Sequence, residues 1–165
     1  MKNIILLFAL TLVSALSAFS QNTVSAADLK MLEGAKWVGE LTYLDYSSNK
    51  RTSIKSNVTI TRFREDENIW IFDFEYPLEP KANGKKEVKL TTSGNEFDGE
   101  AVSERTKLAD GTLRIVTTSK GKDNDRSATY RKTYLIGKTS FSIKKEVQID
   151  GSTDIFERNT YSWTR

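Results

Sequence analysis

A single antiparallel up-and-down β-barrel of about eight to ten strands, preceded by one short helix, is the fold this sequence predicts. Three observations carry that reading. Apolar and polar residues alternate over one segment after another from Trp37 onward. Tight-turn dipeptides separate those segments. A helix-start pattern stands ahead of the first of them. Short period-2 runs joined by turns make an antiparallel meander, and closing it into a barrel removes exposed sheet edges.

Taken in order, Met1-Lys2-Asn3 is a short positive start, residues 4–13 are an apolar run, and Ala18-Phe19-Ser20 places small residues where a signal peptidase reads. The run is shorter than the roughly 20 apolar residues of a membrane span. Residues 1–20 are therefore expected to be a cleavable signal peptide, and residues 21–165 one domain. That domain is long enough to bury its own core. With no cysteine in the chain, neither a lipid anchor on a leading thiol nor a disulfide is available. A secreted or periplasmic location is expected, with no transmembrane helix in the mature protein.

Ser25-Ala26-Ala27-Asp28 has the spacing of a capping box. Leu29 and Leu32 then share one helix face, and Gly34 is suited to a left-handed exit. Residues 36–46 alternate Trp37, Gly39, Leu41 and Tyr43 against Val38, Glu40, Thr42 and Leu44. Residues 52–63 follow the turn "SSNK", and "IWIFDFEY" puts Trp70, Phe72, Phe74 and Tyr76 on one side. Pro77 and Pro80 close that strand because proline lacks a backbone donor. Further strands are expected at 85–92, 96–108, 112–119, 127–136, 139–149 and 154–164, divided by Asn83-Gly84, Asp110-Gly111, "KGKDND", Gly137-Lys138 and Asp150-Gly151. If Gly137-Lys138 and Asp110-Gly111 are two-residue loops, Ile136 faces Thr139, Tyr134 faces Phe141, Lys132 faces Ile143, Tyr130 faces Lys145, and Leu108 faces Leu113.

Charge and composition exclude whole classes of chemistry. The formal charge of +3 falls to +2 if Lys2 leaves with the signal. Basic and acidic residues are interspersed, which argues against a nucleic-acid partner. Without histidine or cysteine, histidine-dependent triads, thiolate catalysis and His- or Cys-ligated metals are unavailable, so no metal site or cofactor is expected. Asp73 and Glu75 lie opposite the aromatic stripe and read as solvated. Asp98 and Glu100 flank Gly99 as a polar bend. Asp123-Asn124-Asp125 begins like a calcium loop but lacks a glutamate at the required spacing, so a solvated turn is expected.

The C-terminal hairpins carry a more informative pattern. Tyr130, Lys132, Tyr134, Phe141, Ile143, Lys145, Val147 and Ile149 form an apolar face interrupted by two lysines. A buried ammonium is costly without a partner. Three readings follow. A three-residue turn ending at Gly151 brings Ile155, Glu157, Asn159 and Tyr161 inward and offers Glu157 as an internal counter-ion; a two-residue turn brings in Phe156 and Arg158 instead. Alternatively, Lys132 or Lys145 receives an anionic ligand, with Tyr130 and Tyr161 assisting. Lastly, the lysines snorkel to the barrel mouth.

The segment "LEGAKWVGELTYLDY", residues 32–46, a short helix followed by glycine, tryptophan and a strand meander, resembles the calycin superfamily of lipocalins, fatty-acid-binding proteins and nitrobindin-like barrels. It is also similar to the start of secreted bacterial lipocalin-like proteins. In lipocalins a glycine-any-tryptophan motif opens the first strand, the tryptophan plugs the closed end, and a late basic residue covers it. Trp37 matches that tryptophan, although Gly34 stands one residue too far away. The resemblance implies a structural role for Trp37 and nominates Arg158 or Arg165 as the covering cation.

Fatty-acid-binding proteins hold carboxylates through basic and tyrosine residues inside the barrel. Their arginine-any-tyrosine pattern is not reproduced, since Arg158 and Tyr161 are three apart. Nitrobindin-like haem binding requires a histidine this chain lacks. The resemblance thus implies a binding protein holding a small hydrophobic or carboxylated ligand at Tyr130, Lys132, Lys145 and Tyr161. The alternative is a protein-interaction or inhibitory module with a filled barrel, acting through loops such as "EPKANGKKE" and "SKGKDNDRS". No catalytic residues are assigned.

Overall fold

The computed structural model describes residues 22–63 and 66–165; the expected signal segment 1–20 lies outside the described residues. A four-residue helix, α1 (Ala26–Leu29), runs into a single 3₁₀ turn at Lys30–Leu32. Ten strands follow: β1 (Lys36–Asp45), β2 (Lys50–Arg62), β3 (Ile69–Glu75), β4 (Gly84–Lys89), β5 (Glu96–Phe97), β6 (Glu100–Lys107), β7 (Leu113–Asp123), β8 (Arg126–Ile136), β9 (Ser140–Ile149) and β10 (Ile155–Thr164). All pairings are antiparallel, in the order β4-β3-β2-β1-β10-β9-β8-β7-β6-β5. The two edges meet at one bridge, Leu90 with Phe97, and the Asp98 amide donates to the Lys89 carbonyl over 2.7 Å. The result is a nearly closed up-and-down barrel, as the alternation predicted.

The helix covers one end. Asp28 accepts from the Ser25 amide and hydroxyl at 2.8 and 3.0 Å. The same carboxylate takes both arms of Arg105, at 2.9 and 2.5 Å. Burial alone would raise the Asp28 pKa, but the bonds from Arg105 and Ser25 outweigh it and hold it below the usual value. Leu29 and Leu32 are buried against the barrel end. Trp37 is wholly buried, and its Nε1 donates to the Leu32 carbonyl at 3.1 Å. Trp70, also wholly buried, donates to Glu33 at 3.0 Å.

The aromatic stripe of β3 points inward, with Trp70 and Phe72 buried, while Asp73 and Glu75 pair outside with Lys85 and Lys36 at 3.5 and 2.7 Å. Among the described residues no helix is long and apolar enough to cross a membrane.

Gly39 is demanded by packing. A Cβ there would lie 1.9 Å from the Ser162 carbonyl oxygen of β10. Gly39→Ala must push β1 away from β10, so urea denaturation should show a loss of about 2 kcal/mol, in the range for overpacked interiors. A stability equal to wild type would mean that the strands separate there without cost.

Two predicted hairpin registers are corrected. Ile136 faces Phe141, Tyr134 faces Ile143, Lys132 faces Lys145 and Tyr130 faces Val147. Each is two residues from expectation, because the loop is longer: Gly137 donates to the Ser140 carbonyl at 2.8 Å. An even shift preserves the face, so the inward set is unchanged. In the other hairpin the shift is odd: Leu113 faces Lys107, so Leu108 does not share its face, is half-exposed, and donates its amide to the Thr112 carbonyl at 2.8 Å.

The last hairpin follows neither expected register throughout. Phe156 faces Val147 and Glu157 faces Glu146, but then Asn159 faces Lys145, with Arg158 bulged between them. Before the bulge the even positions of β10 share the inward face with Val147; beyond it the odd ones do. This extra residue decides the composition of the candidate site.

Candidate functional site

The interior is divided. Toward the helix it is solid, with Trp37 edge-on to Phe141 at 5.9 Å and Phe141 stacked on Trp163 at 5.1 Å. Toward the opposite end lies a cavity of about 210 Å³. Its apolar wall includes Phe72 and Phe74 of β3, Val88 of β4, and Ile143 of β9. Lys86, Asp98, Lys132, Lys145, Asn159 and Tyr161 supply its polar groups.

Lys132 is the better-satisfied lysine. Its ammonium lies 2.9 Å from Glu100 and 3.3 Å from Asp98. Asp98 occupies a left-handed position (φ +58°) in the Asp98-Gly99 turn, and its carboxylate also meets Lys86 at 2.5 Å. Glu100 is held in addition by the hydroxyls of Thr117 and Ser119, at 2.5 and 3.1 Å. Burial works to lower the Lys132 pKa, but Glu100 and Asp98 outweigh it and leave it above the ordinary lysine value.

Lys145 is different. Its Nζ sits 3.7 Å from the centroid of the Tyr130 ring. Among the described residues no carboxylate comes within 4.0 Å of it. Burial, followed by the charge of Lys132, lowers its pKa, offset in part by Asp123 and Glu100. Asn159 stands directly across from it on β10.

Of the four predicted ligand contacts, Lys132, Lys145 and Tyr161 line the cavity. The Tyr161 hydroxyl is bonded to that of Tyr76 at 2.9 Å, and burial followed by this bond raises its pKa. Tyr130 lies at the edge of the site, supporting Lys145 with its ring while its hydroxyl donates to the Lys122 carbonyl.

The two nominated arginines separate. The Arg165 guanidinium lies 4.6 Å from the Trp37 ring centroid and bonds the carbonyls of Lys138 and Met31 at 2.8 and 3.1 Å. Arg158 lies 4.1 Å from the Tyr46 ring, 3.7 Å from Asp123, and donates to the Leu44 carbonyl. Tyr46 donates to Asp123, and burial followed by this contact pushes its pKa up to about 12. These three side chains tie β10 to the ends of β1 and β7.

Sequence reasoning placed the wrong acid inside. Glu157 pairs with Arg51 away from the cavity, whereas Asp98 and Glu100, read as a polar bend, enter the barrel. A usable signal existed. With Asp98-Gly99 as a two-residue turn, Glu100 stands opposite Phe97, whose side chain is buried, so the two share the inward face.

The nearly closed antiparallel barrel is compatible with a calycin-like fold. Comparison with protein-family models gave no match, and neither did comparison with curated proteins.

Proposed function

We propose that this chain is a secreted or periplasmic small-ligand-binding protein of calycin type, holding a compact, partly apolar, anionic molecule in the hollow half of its barrel. The leader pattern of residues 1–20 supports export. The observation that carries the reading is the inequality of the two interior lysines. Lys132 is neutralised by Glu100 and Asp98 at 2.9 and 3.3 Å, while Lys145 faces the same apolar-walled cavity with no carboxylate beside it among the described residues. An uncompensated, partly buried ammonium is unfavourable, and an anionic ligand removes that cost. A filled barrel acting only through its loops leaves the cavity and Lys145 without a role.

Wild-type protein exposed to an extract of organic acids and lipids should retain a bound mass in native mass spectrometry. Lys145→Met, which keeps the length but loses the charge, should bind at least about tenfold more weakly. Affinity should also fall with rising pH earlier than an ordinary lysine would dictate, because the ammonium must be charged and its pKa is lowered. Uniformly ligand-free spectra from the wild-type protein would overturn the proposal.

A further inference from the structure

We propose that Lys145 and Asn159 form a two-point clamp for the carboxylate of a compact, ring-sized monoanion, and that the bulge at Arg158 exists to assemble it. The inference rests on the cavity-binding reading above and names the ligand class.

The clamp begins in the backbone. Without the extra residue, the register that sets Phe156 opposite Val147 would continue and Asn159 would face away from the cavity. With it, Asn159 pairs directly with Lys145 and lines the same cavity. Among the described residues the Asn159 side chain makes no hydrogen bond, and the Lys145 ammonium makes none either, resting on the Tyr130 ring. Two neighbouring strands thus bring one ammonium and one carboxamide, whose NH2 can donate, to the same cavity from paired positions. That arrangement suits the two oxygens of a planar carboxylate. Bulges commonly re-aim a side chain beside a binding site.

Charge selects a monoanion. Lys86, Lys132 and Lys145 bring three ammonium groups, Asp98 and Glu100 bring two carboxylates, and the neighbouring Arg158–Asp123 pair cancels itself, so one positive charge is uncompensated. A dianion would leave an excess negative charge beside Asp98. Volume selects a small body. The cavity, about 210 Å³, falls below the roughly 300 Å³ at which pockets for drug-sized molecules begin, yet exceeds the roughly 150 Å³ that admits benzene. Phe72, Phe74, Val88 and Ile143 give that body an apolar wall. A benzoate-sized molecule meets all three conditions.

The test is calorimetric titration of the full mature protein with benzoate, phenyl phosphate, benzamide and toluene. Benzoate should bind at least about tenfold more tightly than benzamide or phenyl phosphate. Asn159→Leu should weaken benzoate on the order of tenfold with little effect on toluene. Asn159→Asp, which keeps the size but supplies Lys145 with an internal counter-ion, should abolish benzoate binding; it carries the test should the leucine variant fail to fold. Equal affinity for benzoate and benzamide, or benzoate binding unchanged in Asn159→Asp, overturns the clamp while leaving the cavity-binding reading standing. If none of the four compounds binds, the clamp for a ring-sized monoanion falls, and the mass-spectrometric test with the extract decides the cavity-binding reading separately.

Discussion

Trp37→Ala should destabilise the barrel by about 4 kcal/mol, within the range for deleting a fully buried aromatic side chain. Trp37 has no solvent exposure. Its indole joins three parts of the molecule: the edge-on ring of Phe141, the Leu32 carbonyl at the end of the helical segment, and the guanidinium of Arg165. Truncation opens a void in the solid half of the barrel and releases the helix that covers it. Trp37→Phe keeps most of the volume but strands the Leu32 carbonyl, and should cost about 1–2 kcal/mol. Urea denaturation followed by far-ultraviolet circular dichroism measures both. A loss below about 1 kcal/mol for the alanine variant would show that the closed end repacks and that Trp37 is not its keystone.

Lys132→Met should cost about 3 kcal/mol, for the opposite reason. The methionine fills nearly the same space, but Glu100 and Asp98 lose the cation between them, and breaking a buried pair from one side is strongly unfavourable. The Lys132 side chain is 19% exposed, and Lys86 still reaches Asp98, so the loss belongs at the low end of the usual range. Adding Glu100→Gln should recover most of the stability, giving a coupling energy above about 1 kcal/mol in a double-mutant cycle. Additive losses would mean that the three charges act independently. Lys145→Met, by contrast, removes a cation that has no carboxylate partner among the described residues, and should leave stability within about 1 kcal/mol of wild type. The contrast separates the structural lysine from the ligand-facing one.

How much of this was legible in the sequence depends on the range of the interaction. The inward stripe of Trp70, Phe72 and Phe74 could be read from alternation alone, since period 2 is a local property of the backbone. The inward facing of Lys132 and Lys145 survived a register displaced by two residues, because an even slip cannot turn a strand over. The counter-ions were lost because Asp98 and Glu100 stand 34 and 32 residues before Lys132, at the start of β6, which β7 separates from β8 in the sheet. The three-residue turn did bring Asn159 inward, but together with Ile155 and Glu157; a single bulged residue instead puts Phe156 inward before it and Asn159 after it, and nothing in "IFERNTYSW" marks where that extra residue falls.

The chain's alternation and turn residues were enough to establish a meander of about eight to ten strands with a capped helix ahead of it, although the segment 96–108 proved to be two strands parted at Asp98-Gly99, and the lack of histidine and cysteine narrowed its chemistry in advance. Both are matters of local backbone preference and of which side chains exist. Only the closed sheet decided that the barrel is packed at one end and hollow at the other, that Glu100 neutralises Lys132, and that Lys145 meets Asn159. Those outcomes depend on which strands become neighbours and in what register, and that is set by long-range packing around a shared interior.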